Sequence, residues 1–241
     1  MCGRFTRSYT WAQIHAMYSL IPGAPTSNFQ PRYNICPTTT IDAIVSAFDQ
    51  RQLVPMRWGL IPNWWSKSIK EMKLATFNAR AESVAEKTVF RDAFKRRRCL
   101  IPVSGYYEWQ DAPEGKQPHY FTRRDGQVMT IAGLYDTWVY KESDDAIKSC
   151  AMVITAPNEI VSEVHDRMPV VLEEKDFQTW LTGNGDDVNA LMRPASNDIL
   201  QRWPVSKRVN SSRADDADAT LIEPIATSLL ETAAALNPRL L

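Results

Sequence analysis

PHYFTRRDGQVMTIAGLYDTWV, residues 118–139, decides how the fold is read. Two runs rich in aromatic and β-branched residues flank Asp125-Gly126, a dipeptide that accepts the left-handed backbone of a tight turn. The spacing predicts two strands joined as a hairpin. Upstream, CLIPVSGYYEW (99–109) is apolar and alternating and reads as a strand, as do TIDAIVSAF (40–48) and RQLVPMRWGL (51–60). Downstream, CAMVITA (150–156) reads as a buried strand and TLIEPI (220–225) as a last one. The helices between them are short. Thr10 caps a segment that aligns Trp11, Ile14, Tyr18 and Ile21 on one face. TVFRDAFKRRR, PNEIVSEV with a first-turn proline, EEKDFQTWLTG and DDVNALM supply four more. The Pro-rich PGAPTSNFQPRYNICP (22–37) and the aromatic IPNWWSKSIKEMK (61–73) read as loops. Many strands with short helices between them predict an α+β fold, a single domain built on a mostly antiparallel, barrel-like β-sheet flanked by short helices. The domain is expected to span residues 1–225, with a helical tail over 226–241 that stops at Asn237-Pro238.

The 241 residues balance 28 basic against 28 acidic side chains, which excludes a uniformly basic nucleic-acid coat but leaves room for a local basic groove. The four cysteines, at 2, 36, 99 and 150, form no C-x-x-C pair, and there are only three histidines, so neither metal nor cofactor is expected. No apolar leader or membrane span is visible, and the expected location is the cytoplasm.

Cys2 is the first candidate for chemistry. Removal of Met1 before a small residue would leave a 1,2-aminothiol, and the α-amine, with an ordinary pKa of about 7.7–8.0, is partly neutral near pH 7. Such a group can attack an acyl carbon, or condense with an aldehyde to an imine that the thiol then closes into a thiazolidine. In GYYEW (105–109) strand alternation puts Tyr106 and Glu108 on one side and Tyr107 and Trp109 on the other. A carboxyl buried among aromatics has the raised pKa a general acid needs. His165 stands in EVHDRMP beside Asp166 and Arg167. Asn78 and Arg80, two apart in FNARAES, point the same way if that stretch is extended. Trp64 and Trp65 suit stacking on unpaired bases. The run KRRR (95–98) reads as a solvated helix end, and His15 and His119 carry no distinctive signal.

Taken in order, MCGRF, PRYNICPT, RWGLIPNWW, FNARAES, CLIPVSGYYEW, HDRMPVVL and WPVSKRVN resemble the SOS response-associated peptidase family of abasic-site processing proteins. The resemblance runs from residue 1 to about 225. It implies detection of abasic sites in single-stranded DNA and a covalent protein–DNA link, with an associated lyase activity and removal of Met1 by the protein itself. Carried onto this sequence, Cys2 is the nucleophile, Asn78 positions the sugar or the amine, Glu108 moves protons and His165 assists opening of the deoxyribose. Arg4, Arg80, Arg167, Trp64 and Trp65 hold the strand. The implied partner is single-stranded DNA with abasic sites, no membrane is involved, and binding would place the protein on the bacterial nucleoid. Protein partners stay unknown. Some members carry a second arginine after HDR, where this chain has Met168. Two other readings remain at this point. One is an N-terminal-nucleophile amidohydrolase, whose Asn-Gly oxyanion motif this chain lacks. The other is a non-enzymatic single-strand binder.

Overall fold

The turn at Asp125-Gly126 forms, but it does not make a hairpin. A computed structural model describes residues 2–21, 29–140 and 146–225. In chain order its elements are β1 (Arg4–Arg7), α1 (Trp11–Tyr18), β2 (Arg32–Ile35), β3 (Thr40–Ala47), β4 (Gln50–Trp58) and β5 (Asn78–Arg80). Next come α2 (Arg91–Arg96), β6 (Arg98–Val103), β7 (Gly105–Gln110), β8 (Gln117–Arg123), β9 (Met129–Val139) and β10 (Ala146–Thr155). The chain continues with α3 (Glu159–Ser162), β11 (Met168–Pro169), β12 (Val171–Leu172), α4 (Phe177–Thr182), α5 (Gly185–Leu191) and β13 (Leu200–Pro204).

Five strands close on themselves. β10, β4, β3, β6 and β9 pair in that order, and β9 pairs back onto β10, with β10–β4 the one parallel contact in the ring. A second, five-stranded antiparallel sheet runs β13-β8-β7-β1-β2. The fold is α+β, a barrel-like and mostly antiparallel β-structure flanked by short helices.

Alternation along the barrel strands divides their side chains between two packed layers. Ala43 and Val45, Cys99 and Ile101, Met129 and Ile131, and Cys150 and Met152 meet the second sheet through Phe5, Ile35, Tyr106, Phe121 and Leu200. Their neighbours Ile44, Leu100, Ala132, Leu134, Ala151 and Val153 pack under Ile14 and Tyr18 of α1, Phe94 of α2 and Trp180 of α4. Both faces are buried in β6, in most of β9 and in the second half of β10, and these are the most continuous apolar runs, whereas β4 stays mostly part-exposed.

β8 and β9 lie in different layers. Asp125 accepts from the Gln127 amide at 2.9 Å and pairs with Arg123, and Gly126 takes φ +69°. The local turn chemistry is as the sequence predicts, yet the chain leaves the second sheet there and enters the barrel. The partners of β8 are β7 and β13, and those of β9 are β6, β10 and β12. The predicted single strand 99–109 divides likewise. Ser104 carries the chain from β6 in the barrel to β7 in the second sheet, its amide bonded to Thr6 O and its carbonyl to Thr122 Oγ1. Gly105 is required there, because a Cβ would lie 2.3 Å from the Tyr120 hydroxyl.

Three smaller corrections apply. The predicted loop through 22–37 contains β2, held by pairing with β1. Residues 219–222 of the predicted last strand form a 3-10 turn capped by Asp218, leaving only a bridge from Pro224 to Val205. Asn158, one residue after the proline, is the N-cap of α3. A tight hairpin does form at β3–β4, whose Phe48 and Asp49 both take positive φ. The tail expected over 226–241 lies outside the described residues.

Candidate active site

β10 organises the site. On one side its last residues pair with β5, Met152 opposite Asn78 and Ile154 opposite Arg80. On the other, Ile154 and Thr155 pair with Pro169 and Met168 of β11, the strand directly after His165-Asp166-Arg167. The two motifs, almost ninety residues apart, are thus brought to the end of one strand. β5 is extended, as the alternation of Asn78 and Arg80 requires, and leaves Asn78 buried and Arg80 exposed. From the opposing sheet, β7 presents Glu108, 1% exposed, and Tyr106 on the face that meets the barrel, while Tyr107 packs on the other face.

Cys2 is fully buried in the layer between the sheets. Asn78 donates from Nδ2 to the Cys2 carbonyl at 2.8 Å, and the Cys2 thiol lies 3.9 Å from Arg4 O. His165 Nε2 stands 3.8 Å from Glu108 Oε2. The structure therefore brings Cys2, Asn78, Glu108 and His165 into one pocket. The Arg167 amide donates to His165 Nδ1 at 3.0 Å, so the neutral ring carries its proton on Nε2, toward Glu108. Asp166 Oδ1 lies 3.1 Å from the same Nδ1 and would take over as partner in the charged ring.

Burial dominates the electrostatics. It pushes the Cys2 thiol well up, helped by the nearby Glu108 carboxyl. It raises Glu108 from 4.5 to about 8 and lowers the His165 imidazole. At neutral pH the pocket holds a protonated carboxyl, a protonated thiol and a neutral imidazole.

The residues expected to hold a nucleic acid are arranged differently. Arg167 pairs with Glu82 at 2.6 Å, close to Arg80 at the end of β5. Arg4 is engaged inward: Nη1 bonds Asn34 Oδ1 at 2.6 Å and the Val209 carbonyl, fastening β1 to the 209–211 segment. Trp64, 46% exposed, meets Trp65 edge to face, and the Trp65 indole donates to Ser68 O at 3.2 Å. Met168 is fully buried and accepts from the Asn158 amide, a core position with no room for a charged side chain. Among the described residues no cluster of metal-ligating side chains forms, and no helix is long and apolar enough to cross a membrane.

With this geometry, residues 1–212 match the family model described as SOS response associated peptidase (SRAP). The chain belongs to the SRAP family. It is 33% identical over 219 residues to the abasic site processing protein YoqW of Bacillus subtilis, covering 88% of this chain and 96% of that one. It is 30% identical to the abasic site processing protein HMCES of Xenopus tropicalis, with 77% and 64% covered. A crystal structure of a Bacteroides thetaiotaomicron protein superimposes with a TM-score of 0.82 at 22% identity, over 93% of this chain and all of that one, which speaks to the fold.

The SRAP pocket also has a supporting layer that the sequence does not reveal. His119 lies directly opposite Glu108 in the β7–β8 ladder and is held down to about 4 by burial and by Arg202. Its Nδ1 accepts from Arg202 at 3.0 Å, and Arg202 also pairs with Glu163 at the end of α3. Gln110 Nε2 donates to the Glu163 carbonyl at 2.9 Å. This chain of contacts ties α3, and hence the His165 loop, to the sheet that carries Glu108. The sequence reading placed His119 in a strand and gave it no role.

Proposed function

We propose that this protein recognises abasic sites in single-stranded DNA and links itself to them through the amine and thiol of Cys2. The observation that carries the reading is the convergence of Asn78, Glu108 and His165 on a buried Cys2. The abasic-site role named for its relatives agrees with it.

The chemistry follows from the protonation states. The sugar first opens: the C1′–O4′ bond breaks, the C1′ hydroxyl gives up its proton and the ring oxygen gains one, a transfer that His165 relays; once Met1 is removed, the α-amine of Cys2 attacks the resulting C1′ aldehyde. The resulting carbinolamine loses its hydroxyl as water, for which Glu108, its carboxyl raised by burial, is the acid. The thiol then adds to the imine carbon and closes a thiazolidine. Left open, the imine permits β-elimination of the strand, which accounts for a lyase side activity. Asn78 fixes the Cys2 backbone during both bond-forming steps. Removal of Met1 by the same pocket would be the peptidase activity of the family's name.

Arg80 and Arg167 form the rim that meets phosphate, and the Trp64–Trp65 pair offers stacking surface. Arg4 acts by holding the wall rather than by reaching the strand. Phosphate contacts give affinity without sequence preference and weaken with salt. The protein would act in the cytoplasm, on the nucleoid when bound to DNA.

The test is a denaturing gel with abasic single-stranded DNA, with intact mass reporting Met1 removal and the adduct. A heat-resistant shifted band that Cys2→Ala abolishes, with weak DNA binding retained, is expected. A crosslink at full yield in Cys2→Ala would make another group the nucleophile. Absence of any adduct with Met1-free protein would favour a plain binder, and ammonia release from glutamine would favour an amidohydrolase.

A further inference from the structure

The Tyr106 hydroxyl is buried and has no hydrogen-bond partner among the described residues. A buried hydroxyl left unpaired disfavours the folded state, and a phenylalanine would avoid that cost. The ring itself is well placed: it stacks on Phe121 with centroids 5.1 Å apart and 8° between planes, and it lies opposite Phe5 in the β1–β7 ladder. The oxygen thus adds nothing to packing. It sits on the face of β7 that carries Glu108, in the same packed layer as Cys2. The pocket holds a second buried polar atom in this condition, Asn78 Oδ1, on the side chain that grips the Cys2 carbonyl. Two unpaired polar atoms in the layer that buries one cysteine are groups whose partners come with the reaction rather than with folding.

We propose that Tyr106 is a positioning residue for the Cys2 sulfur, its hydroxyl donating a hydrogen bond to Sγ while the thiol adds to the imine. The inference rests on the crosslinking reading above. In this step the S–C1′ bond forms, the electron pair of the C=N bond moves to nitrogen, and the thiol proton passes to that nitrogen through Glu108. Tyr106 keeps its own proton throughout. Its phenol is pushed well up, first by burial and then by the Cys2 and Glu108 charges, so it stays a donor across the working range. Cys2 and Glu108 are buried, and the phenol beside them is the donor for the charge that builds on sulfur as its proton leaves.

The test compares wild type with Tyr106→Phe, both with Met1 removed, on abasic single-stranded DNA. Adducts are measured with borohydride, which traps the imine, and without it, where only the closed ring survives heating. The expected result is an unchanged rate of borohydride-trapped adduct and a heat-stable adduct that forms about tenfold more slowly, the effect of one hydrogen bond. The melting temperature should equal or exceed that of wild type. Identical partition in the two proteins would overturn the role of Tyr106 while leaving the crosslinking reading intact. A lowered melting temperature would make the hydroxyl structural and overturn it too. Failure of wild type to form either adduct would remove the crosslinking reading and this inference together.

Discussion

Glu108 links the chemistry of the pocket to the stability of the fold, and Glu108→Gln measures the link. The side chain is almost fully buried, and burial raises its carboxyl from 4.5 to about 8. Below pH 4.5 the group is protonated in folded and unfolded chains alike. Between 4.5 and about 8 only the unfolded chain releases its proton, which draws the equilibrium toward unfolding. Above about 8 both states are ionised and the contribution is flat again. This part of the stability is therefore fully present in acid and lost as pH rises through the folded-state value. At about 1.36 kcal/mol for each pH unit, a displacement from 4.5 to about 8 amounts to about 5 kcal/mol, a large share of the stability of an ordinary domain.

Glutamine has nearly the same shape and no proton to lose. Urea titrations of both proteins, made on Met1-free samples at intervals from pH 5 to pH 9, give the difference directly, and other titrating groups cancel in it. The variant should gain on wild type by roughly 4 kcal/mol between pH 5 and pH 8 and then by little more. It should also lose most of its crosslinking rate. Stability curves for the two proteins that run parallel within about 1 kcal/mol would show that Glu108 is ionised in the folded pocket. The assignment of the general acid would then fall.

Asn78→Ala removes the hydrogen bond to the Cys2 carbonyl and should slow adduct formation at least tenfold on a denaturing gel, at a stability cost of about 1–2 kcal/mol by urea titration. Arg98→Ala strips the guanidinium that gathers the Phe94, Lys95, Trp180 and Gly183 carbonyls, and should cost about 3 kcal/mol or more in the same titration, with the crosslinking rate of the still-folded fraction unchanged.

Arg98 shows where local sequence stops being informative. In KRRR it reads as the last residue of a solvated helix end, and the structure buries it as the first residue of β6. What makes burial tolerable is a set of carbonyls, two of them, Trp180 in α4 and Gly183 just after it, more than eighty residues away. No window around Arg98 contains that information. The hairpin failed for a related reason. Asp125-Gly126 specifies a reversal of chain direction but not which strand the returning chain will meet, and β9 found fuller burial between β6 and β10 than beside β8. The site was more legible than the topology. The alternation of GYYEW put Glu108 and Tyr106 on one side of β7, the side that meets the barrel, and that of FNARAES put Asn78 and Arg80 on one side of β5, because side-chain direction in a strand depends only on parity. The extended form of Arg32–Ile35 was hidden by the prolines on either side of it.

The protonation states also order the proposed reaction. A thiol whose pKa is raised by burial is a poor nucleophile, since the thiolate is the reactive form. The sulfur therefore does not open the attack. The α-amine is a nucleophile in its neutral form. The amine acts first, and the sulfur follows only when a neighbouring imine makes its carbon electrophilic enough for a thiol that loses its proton as the bond forms. This order explains why the pocket pairs its cysteine with a protonated carboxyl and a neutral imidazole rather than with the cations that usually activate a thiolate. A lysine or arginine beside Cys2 would create a thiolate at rest, open to oxidation and able to attack without the amine. Without such a side chain, the reactivity of the sulfur is tied to the imine that an aldehyde alone can supply.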